Sequence, residues 1–428
     1  MIGCESNRRA EGATEKPKAD GLFGWWRAGS PEARRSLVAA ALGWALDSFD
    51  VTLFAMVLPT LLTALALTKA MGGVLVSVTV AAAAFGGILF GLIADRFGRT
   101  RALMGSIVVY SVFTGACGLA RNFWELALFR VLLGLGFGGE WASGAALVSE
   151  TWPDRHRAKA LGFMQSAWAI GYASAAVVTA IVLPRWGWRA VFFVGVLPAL
   201  FTIWVRRRVP EPELWRQAAA RGDRPRAGLA ALFRGGLARL TIAVTVMNAC
   251  TLFGWWAFWS WLPSYLTLPV DQGGLGLQVL SGSGLIVVMQ VGMWFGYVTF
   301  GYVSDAIGRK PAYVLYLIAA AALMLAYTAA RTPMVLLVLG PFVAFFATGY
   351  FSGFGTVTAE IYRTEIRATA QGFTYNTGRL ASALAPFTVG SLAQTYGFRV
   401  ALSIPAIAFL LAAFTWFWIP ETKGRRLE

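Results

Sequence analysis

The chain has 428 residues, of which 57% are apolar and only 14% are charged. A chain this apolar must bury most of its surface against lipid or against itself, which excludes an ordinary water-soluble protein. The formal net charge of +16 would suit a nucleic-acid-binding protein if it formed one basic block. Because Lys and Arg recur on loop after loop instead, we expect no nucleic-acid partner.

Apolar runs of about 20 residues, the length that crosses a hydrocarbon core, recur along the chain. The pattern predicts an all-α integral membrane protein with twelve transmembrane helices near 37–66, 71–94, 103–120, 124–150, 159–183, 188–205, 240–267, 281–304, 312–330, 333–359, 369–395 and 400–419. Lys and Arg are concentrated in the two tails and in every second loop, which predicts that both termini are cytoplasmic in a multi-pass inner-membrane protein. Residues 1–36 lack the apolar core of a signal peptide, so the first helix is expected to direct its own insertion.

The first predicted helix contains two carboxylates, Asp47 and Asp50. Their i, i+3 spacing places both on one helix face. An ionised side chain at the bilayer centre costs at least about 2.5–3.5 kcal/mol, so it needs a partner or a function. Two neighbouring carboxylates in a low dielectric are not easily ionised together, which predicts a proton-carrying site. The alternative is that these aspartates only cap or pair locally.

A short loop follows the second predicted helix, GLIADRFGRTR at 91–101, and returns as GYVSDAIGRKP at 301–311. An aspartate at such a helix end can accept hydrogen bonds from the first amides of the next helix and can pair with arginine. We predict a conformational latch that closes the cytoplasmic face and favours the outward-facing state, formed by Asp95, Arg99, Glu150, Arg157, Asp305, Arg309, Glu360 and Arg367. The alternative is that the basic residues only fix topology.

The fourth predicted helix carries Arg130 and Glu140. Gly134 and Gly138 follow Arg130 at four-residue intervals, a small-residue face that permits close helix packing. Arg130 is therefore predicted to reach the first helix and to neutralise Asp47 or Asp50. Glu140 lies about 15 Å further along the helix, so it is either a second proton site or a structural acceptor.

The repeated loop is one part of a longer repeat with a constant offset of 210 residues. The offset also relates Glu150 to Glu360, and Pro210-Glu211 to Pro420-Glu421. Six crossings return the chain to its starting side, so the two halves are parallel repeats related by an axis along the membrane normal, with a pathway expected between them. The predicted regions are a tail 1–36, a half 37–205, a cytoplasmic linker 206–239, a half 240–419 and a tail 420–428.

Other polar and aromatic residues in the helices have less specific roles. Trp255, Trp256 and Trp259 are expected to form an interfacial belt, the commoner position of membrane tryptophan. His156 lies in a predicted loop and is a poor proton relay. Polar side chains that could line a pocket, or equally bind a neighbouring helix, are Gln165, Tyr172, Asn248, Gln290 and Tyr350.

Arg379 has no acidic neighbour in the eleventh predicted helix, where the sequence reads GFTYNTGRLASALAPF at 372–387. Its planar guanidinium can bind a carboxylate through two parallel hydrogen bonds. With Tyr375, Asn376 and the helix breaker Pro386 beside it, Arg379 is predicted to anchor an organic anion. The alternative is an ion pair with Asp47, Asp50 or Glu140.

These motifs together resemble the major facilitator superfamily over roughly 36–424. GLIADRFGRTR is similar to its loop signature between helices 2 and 3, and RVLLGLGFGGE at 130–140 is similar to its helix-4 signature. Finer similarity to the proton symporters of organic anions, the sialate and lactate group and the aromatic-acid group, comes from GWALDSFD at 43–50, ETWPDRHRAKALG at 150–162, WGWRAVFFVG at 186–195 and PETKG at 420–424. The resemblance implies that DSFD is a D-x-x-D motif and that an arginine at the position of Arg379 is shared.

The predicted function is proton-coupled symport of a small organic anion by alternating access, with a monocarboxylate, a sialic acid or an aromatic acid as substrate. A facilitator or an efflux antiporter of a neutral or sugar-like solute is the alternative on the same fold. Cys4, Cys117 and Cys250 have no metal-ligand spacing, and no catalytic motif is evident. We therefore expect no enzyme activity, metal or cofactor; the partners are the lipid bilayer, the anion and the proton, and the protein is expected to be a monomer.

Overall fold

The computed structural model describes residues 24–197, 199–200, 204, 209–211, 232–234, 236–362 and 364–423. Most of the predicted linker 206–239 and both chain ends lie outside these residues. The regular structure of the described part consists of the α-helices α1 (Gly24–Ala28), α2 (Pro31–Ala64), α3 (Lys69–Phe97), α4 (Arg99–Cys117), α5 (Phe123–Thr151), α6 (Asp154–Val194), α7 (Leu237–Thr267), α8 (Val279–Ile307), α9 (Arg309–Ala329), α10 (Pro333–Gly349), α11 (Phe354–Ile361), α12 (Thr364–Ser382), α13 (Leu384–Ala401) and α14 (Ile404–Thr415), with short 3₁₀ turns at Val270–Gln272 and Tyr350–Gly353.

Several helices begin at residues that satisfy their first free N–H groups. Ser30 Oγ accepts a hydrogen bond from Ala33 N–H at 3.0 Å before α2, and Thr68 Oγ1 accepts one from Met71 N–H at 3.1 Å before α3. Asn122 Oδ1 accepts from Glu125 N–H at 3.0 Å before α5. Such caps stabilise a helix start by about 1 kcal/mol, so these boundaries follow from the local sequence.

The predicted spans correspond to helices in the described part of the chain. Eight helical stretches there are long and apolar enough to cross a membrane, and a ninth candidate is a pair bent by 72° that joins 370–401 to α14. The fourth predicted span is α5, the sixth is described only in part, and the eleventh is divided into α12 and α13. The fold is an all-α integral membrane fold, as predicted.

The 210-residue repeat is visible in the backbone as well as in the sequence. Gly98 and Gly308 have φ values of +116° and +107°, and Gly187 and Gly397 have φ values of +75° and +78°. Residues other than glycine rarely adopt such positive φ values, so glycine recurs where each half turns sharply. Helix packing repeats too, because α2 packs on α6 as α7 packs on α12, and α3 packs on α5 as α8 packs on α10.

The two halves meet mainly along two seams, α6 against α8 and α3 against α13, with further contacts of α2 with α7 and of α3 with α12. We call the end with the α3–α4 and α8–α9 turns the signature end, and the end with the α2–α3 and α7–α8 connections the far end. At the far end, Lys69 Nζ donates to Gln272 O at 2.6 Å and to Ala393 O at 3.5 Å. Deeper in the seam, Phe387 N–H donates to Ser77 Oγ at 3.2 Å. These bonds join the halves at the far end.

Candidate functional site

A narrow cavity of about 20 Å³, room for one water molecule, lies between the two halves at mid-depth in the helices. Its walls come from α2, α3, α5, α6 and α7, and Arg130 contributes a charged group to them. The aromatic part of the wall consists of Phe54, Trp168, Tyr172, Trp255, Trp256 and Trp259. The lining, mainly apolar with a few polar groups, and the position between the halves are those of a small-molecule site, and the cavity must widen to admit a ligand.

The expectation of a tryptophan belt on α7 is wrong. Trp255, Trp256 and Trp259 are only 2–5% exposed, and they face the cavity instead of the membrane surface. Trp255 packs edge-on against Trp168 of the other half, with ring centres 5.5 Å apart, and Tyr172 donates a hydrogen bond to Trp259 O at 3.3 Å. The position along the helix gives the reason, since Trp255 precedes the end of α7 by twelve residues, about 18 Å, too deep for an interfacial residue.

Arg130 lines the cavity, and Asp50 lies near it without a hydrogen bond between the two side chains. The Arg130 guanidinium lies 4.1 Å from the centre of the Phe54 ring, and Arg130 Nε and Nη1 have no hydrogen-bond partner among the described residues. Of the two aspartates predicted as partners, Asp50 is the one whose charge interacts with Arg130. Asp50 lies beside Thr114 and against the end of α6, where a Cβ at Gly195 would be 2.9 Å from its Oδ1.

Asp47, Glu140 and Arg379 form a second charged group, with Glu140 closer to the first helix than its sequence position suggested. The Glu140 carboxylate contacts α2 at Gly43, one helical turn from Asp47, and a side chain at Gly43 would collide with it. The charges of Glu140 and Arg379 both interact with Asp47. The Arg379 guanidinium lies between the rings of Phe137 and Tyr375, at 5.1 Å and 5.4 Å from their centres.

All five intramembrane charges predicted from the sequence are buried around the same region of the molecule: Asp47, Asp50, Arg130, Glu140 and Arg379. No oxygen of Asp47, Asp50 or Glu140 has a hydrogen-bond partner in the part of the chain that the structure describes. Buried charges without fixed partners are costly to maintain, so a function is the better explanation of their presence.

The polar residues predicted to line a pocket are divided between different places. Tyr172 lines the central cavity. Tyr350 is buried in the second half and donates to Thr251 O at 3.4 Å, and Gln290 lies in a separate crevice between α6 and α8. Asn248 is buried against α12 at Gly378, and Asn376 approaches Gly87 of α3. Tyr375 contacts Arg379, while Gln165 is half-buried on α6. A role of these residues in substrate binding stays a prediction.

At the signature end, the described ion pairs each join residues of the same half. Arg99 Nε donates to Glu150 Oε1 at 3.1 Å. Arg309 donates to both oxygens of Glu360, from Nε at 3.3 Å and from Nη2 at 3.1 Å, and it also pairs with Asp305. Arg157 is half-buried, and the side chains of Asp95 and Arg367 lie outside the described residues. A latch between the halves stays a prediction.

The amides at the starts of α4 and α9 are bound by glutamates, not by the predicted aspartate in the half where both candidates are described. Glu421 accepts from Arg309 N–H at 2.9 Å and from Lys310 N–H at 3.0 Å, whereas the Asp305 side chain is 69% exposed. Glu211 accepts from Thr100 N–H and Arg101 N–H, both at 3.1 Å. The sequence signal for these caps was the match between Pro210-Glu211 and Pro420-Glu421.

The two caps differ by one residue because of a proline. Glu211 binds the second and third residues of α4, whereas Glu421 binds the first and second residues of α9. Pro311 stands where Arg101 stands in the first half and has no N–H to donate. Burial alone would raise the pKa of Glu421, but hydrogen bonds from Lys423 N–H, the two α9 amides and Thr422 N–H outweigh burial and lower it.

A helical fold with two repeated halves around a central cavity defines a membrane transporter. The sequence model described as Major Facilitator Superfamily matches residues 40–288 and 244–428, so the chain belongs to this superfamily. A relative from Cupriavidus pinatubonensis named for 4-methylmuconolactone transport is 36% identical, and the match covers 95% of both chains. The sialic acid transporter NanX of Escherichia coli is 29% identical over 92% of this chain and 96% of NanX.

Among solved structures, the xylose transporter XylE from E. coli in a partially occluded inward-open conformation is similar, with a TM-score of 0.75 at 20% identity. The match covers 93% of this chain and 100% of the XylE chain. At this identity the likeness shows the fold alone. The protein is therefore a transporter of the major facilitator superfamily and not an enzyme, as predicted.

Proposed function

We propose that the protein is a secondary active transporter that carries a small organic anion together with a proton. The observation that carries the proposal is the set of buried carboxyl and guanidinium groups in the membrane-spanning helices, of which Arg130 lines the cavity between the halves. One guanidinium binds the carboxylate of the substrate, and one carboxyl group carries the proton. The relatives named for 4-methylmuconolactone and sialic acid support an organic acid as substrate.

The buried charges of the membrane-spanning helices favour electroneutral transport. Asp47, Asp50 and Glu140 oppose Arg130 and Arg379, so three acids face two bases. Protonation of one acid leaves two of each and a neutral site before the substrate enters. A monoanion that moves with one proton transfers no net charge, so the membrane potential adds nothing to its uptake.

The walls of the cavity favour a flat, mainly apolar substrate body. Indole rings of Trp168, Trp255 and Trp256 offer large apolar faces that pack well against another ring. A polyhydroxylated body would lose hydrogen bonds to water without replacing them at such a wall. Among the predicted substrate classes, an aromatic acid therefore fits better than a sialic acid.

We also propose the orientation and the division of the chain. Both termini lie in the cytoplasm, so the signature end is the cytoplasmic end of an inner-membrane protein. The halves 37–205 and 240–419 move against each other around the cavity, and the linker 206–239 joins them. Alternating access requires the far-end seam of α3 and α13 to open when the signature end closes. One chain contains the whole pathway, so a monomer is sufficient.

A facilitator or an efflux antiporter is the other function that this fold supports. Neither needs three acids and two bases buried in the membrane-spanning helices, which is why symport is the better explanation. Direction of transport distinguishes these cases, because only a symporter concentrates its substrate when the proton gradient points inward.

The experiment is uptake by purified protein in proteoliposomes. Benzoate, 4-hydroxybenzoate and sialic acid are offered with and without an inward proton gradient, and an uncoupler abolishes the gradient in a control. We expect an aromatic carboxylate to accumulate only with the gradient. Asp47→Asn and Asp50→Asn should lose accumulation while the protein is still produced in the membrane. Equal uptake with and without the gradient would show a facilitator instead.

A further inference from the structure

We infer that Arg130, and not Arg379, receives the carboxylate of the substrate, and that Asp50 occupies Arg130 electrostatically when the site is empty. This inference rests on the proposed function, organic-anion transport. It assigns a carboxylate subsite inside the cavity and a specific competitor for that subsite.

Three features of Arg130 place the subsite. Arg130 belongs to the cavity wall and is only 1% exposed. Its Nε and Nη1 have no hydrogen-bond partner among the described residues, so two donors of its planar fork are available. Phe54 lies against the guanidinium at 4.1 Å and limits its movement. A fixed guanidinium with unused donors beside an apolar cavity is suited to bind a carboxylate through two hydrogen bonds.

Arg379 is placed differently, although it carries the same charge. Arg379 is not among the residues that line the cavity; its guanidinium contacts the Phe137 ring, which packs edge-on against Trp256. One of its donors, Nε, has no hydrogen-bond partner among the described residues, compared with two in Arg130. Tyr375 contacts Arg379 from the same helix, and the charge of Arg379 interacts with Asp47. These contacts suit a residue that compensates the charge of Asp47 and positions the neighbouring aromatic rings, and not one that touches the substrate.

Asp50 is the competitor because it lies one helical turn before Phe54, whose ring the Arg130 guanidinium contacts at 4.1 Å, so its charge is near Arg130. The other titratable or charged groups near Asp50 are Cys117 on α4, which also interacts with Arg130, and Tyr110 on the same helix. Asp47 lies one helical turn away on α2. When Asp50 is ionised, its carboxylate attracts the Arg130 guanidinium and compensates its positive charge. When Asp50 is protonated, Arg130 is released and can bind the incoming carboxylate, so proton and anion must bind together.

The test measures equilibrium binding at several pH values, with the aromatic carboxylate that the parent protein concentrates and with its uncharged amide. Arg130→Lys keeps the positive charge but loses the planar guanidinium that can donate two parallel hydrogen bonds to a carboxylate. We expect it to weaken anion binding by at least about tenfold, the effect of one charge-assisted hydrogen bond, and to leave amide binding unchanged. The matched variant Arg379→Lys should weaken anion binding by less than about threefold.

Asp50→Asn provides a second readout that does not depend on the arginine variants. In the parent, anion affinity should fall as the pH rises, because ionised Asp50 competes for Arg130. In Asp50→Asn, the affinity should stay high across the same pH range, whereas Asp47→Asn should keep the parental pH dependence. Size-exclusion chromatography of each variant confirms that the protein is folded.

The outcomes separate this inference from the proposed function. If the parent concentrates no carboxylate, the proposed function is wrong and the inference falls with it. If the parent concentrates one and Arg379→Lys causes the larger loss, the function stands and Arg130 is not the subsite. If Asp50→Asn retains the full parental pH dependence, Asp50 is not the competitor.

Discussion

The two ends of the molecule are held by different kinds of contact. At the far end, Lys69, Gly73 and Ser77 of α3 contact α13 of the other half. At the signature end, the described ion pairs Arg99–Glu150 and Arg309–Glu360 connect helices of one half. Among the described residues, the ion pairs of the signature end therefore connect helices within each half, whereas the far-end contacts join the two halves.

The packing around glycines also differs between the two ends. A Cβ at Gly73 would lie 2.6 Å from Pro386 O, and one at Gly390 would lie 2.6 Å from Lys69 O. Near the signature end, Gly91 on α3 and Gly301 on α8 would place a Cβ where the described part of the chain has no neighbouring heavy atom within 4 Å. The far-end seam is thus close-packed, and substitutions there test it directly.

The largest effect is expected from Gly73→Leu, because its side chain would occupy the space of Pro386 O and Phe387 Cα in the closed seam. The variant should remain open at the far end and lose transport. The measurement is labelling of Val51→Cys, a cavity position, by an impermeant thiol reagent applied from the far end in a background without native cysteines. Gly91→Leu on the same helix is the control and should keep parental labelling. Normal transport by Gly73→Leu would show that the seam does not close during the cycle.

The next largest effect is expected on stability, when an ion pair within one half is broken at the signature end. Glu360→Gln removes the charge that binds both Nε and Nη2 of Arg309, and these side chains are only 11% and 13% exposed. We expect the free energy of unfolding to fall by about 1.5–3 kcal/mol, the range for hydrogen bonds to charged groups. Glu150→Gln should cost less, because Arg99 contacts one oxygen of Glu150 and that side chain is 22% exposed.

The measurement is the apparent Tm in detergent at one fixed scan rate, together with the Val51→Cys labelling assay. Both glutamate variants should lower the apparent Tm and leave far-end labelling unchanged. A change in labelling without a change in stability would mean that these pairs act between the halves, as a latch does, and the proposed division of roles would be wrong.

A smaller effect is expected when one far-end hydrogen bond is removed. Lys69→Met keeps most of the side-chain volume but loses the bonds to Gln272 O and Ala393 O. The open population at the far end should increase by less than about tenfold, since the ammonium is half-exposed and water replaces part of the lost interaction. Val51→Cys labelling reports the shift. Lys159→Met, an exposed charge at the other end, is the control, and equal labelling in both variants would indicate a general charge effect.

The sequence predicted the parts of this fold that repeat or that depend on composition. The 210-residue offset predicted matching turns, and Gly98 and Gly308 have nearly the same backbone angles. Burial of Asp47, Asp50 and Arg379 followed from the cost of charge in lipid. Which charges interact could not be predicted, because Asp47 and Arg379 are 332 residues apart and either aspartate could face Arg130 from its helical position alone.

Two features needed the structure for other reasons. Tryptophan is common both at the membrane surface and around ligands, so composition alone could not place Trp255, although its depth along α7 was a usable signal. The caps by Glu211 and Glu421 join residues about 110 positions apart, and no local pattern connects them. Their repeated position at the end of each half was visible in the sequence, but the partner of the carboxylate was not.

The smallest effect concerns Glu421, which stabilises the start of α9 at the signature end. Its pKa is lowered from 4.5 by four backbone N–H donors that outweigh the effect of burial. A carboxylate with a lowered folded-state pKa contributes stability above its unfolded pKa and loses that contribution as the pH falls through the folded value. The apparent Tm of Glu421→Gln should therefore lie below that of the parent by a constant amount from pH 7 to pH 5, and the gap should narrow as the pH falls below 4.5. The scans are repeated at higher salt as a control, because a screened long-range charge effect would shrink the gap at every pH. A gap that stays constant through the acidic range would mean that the glutamine amide binds Arg309 N–H and Lys310 N–H as well as the carboxylate does, and the charge of Glu421 would then have no part in holding α9.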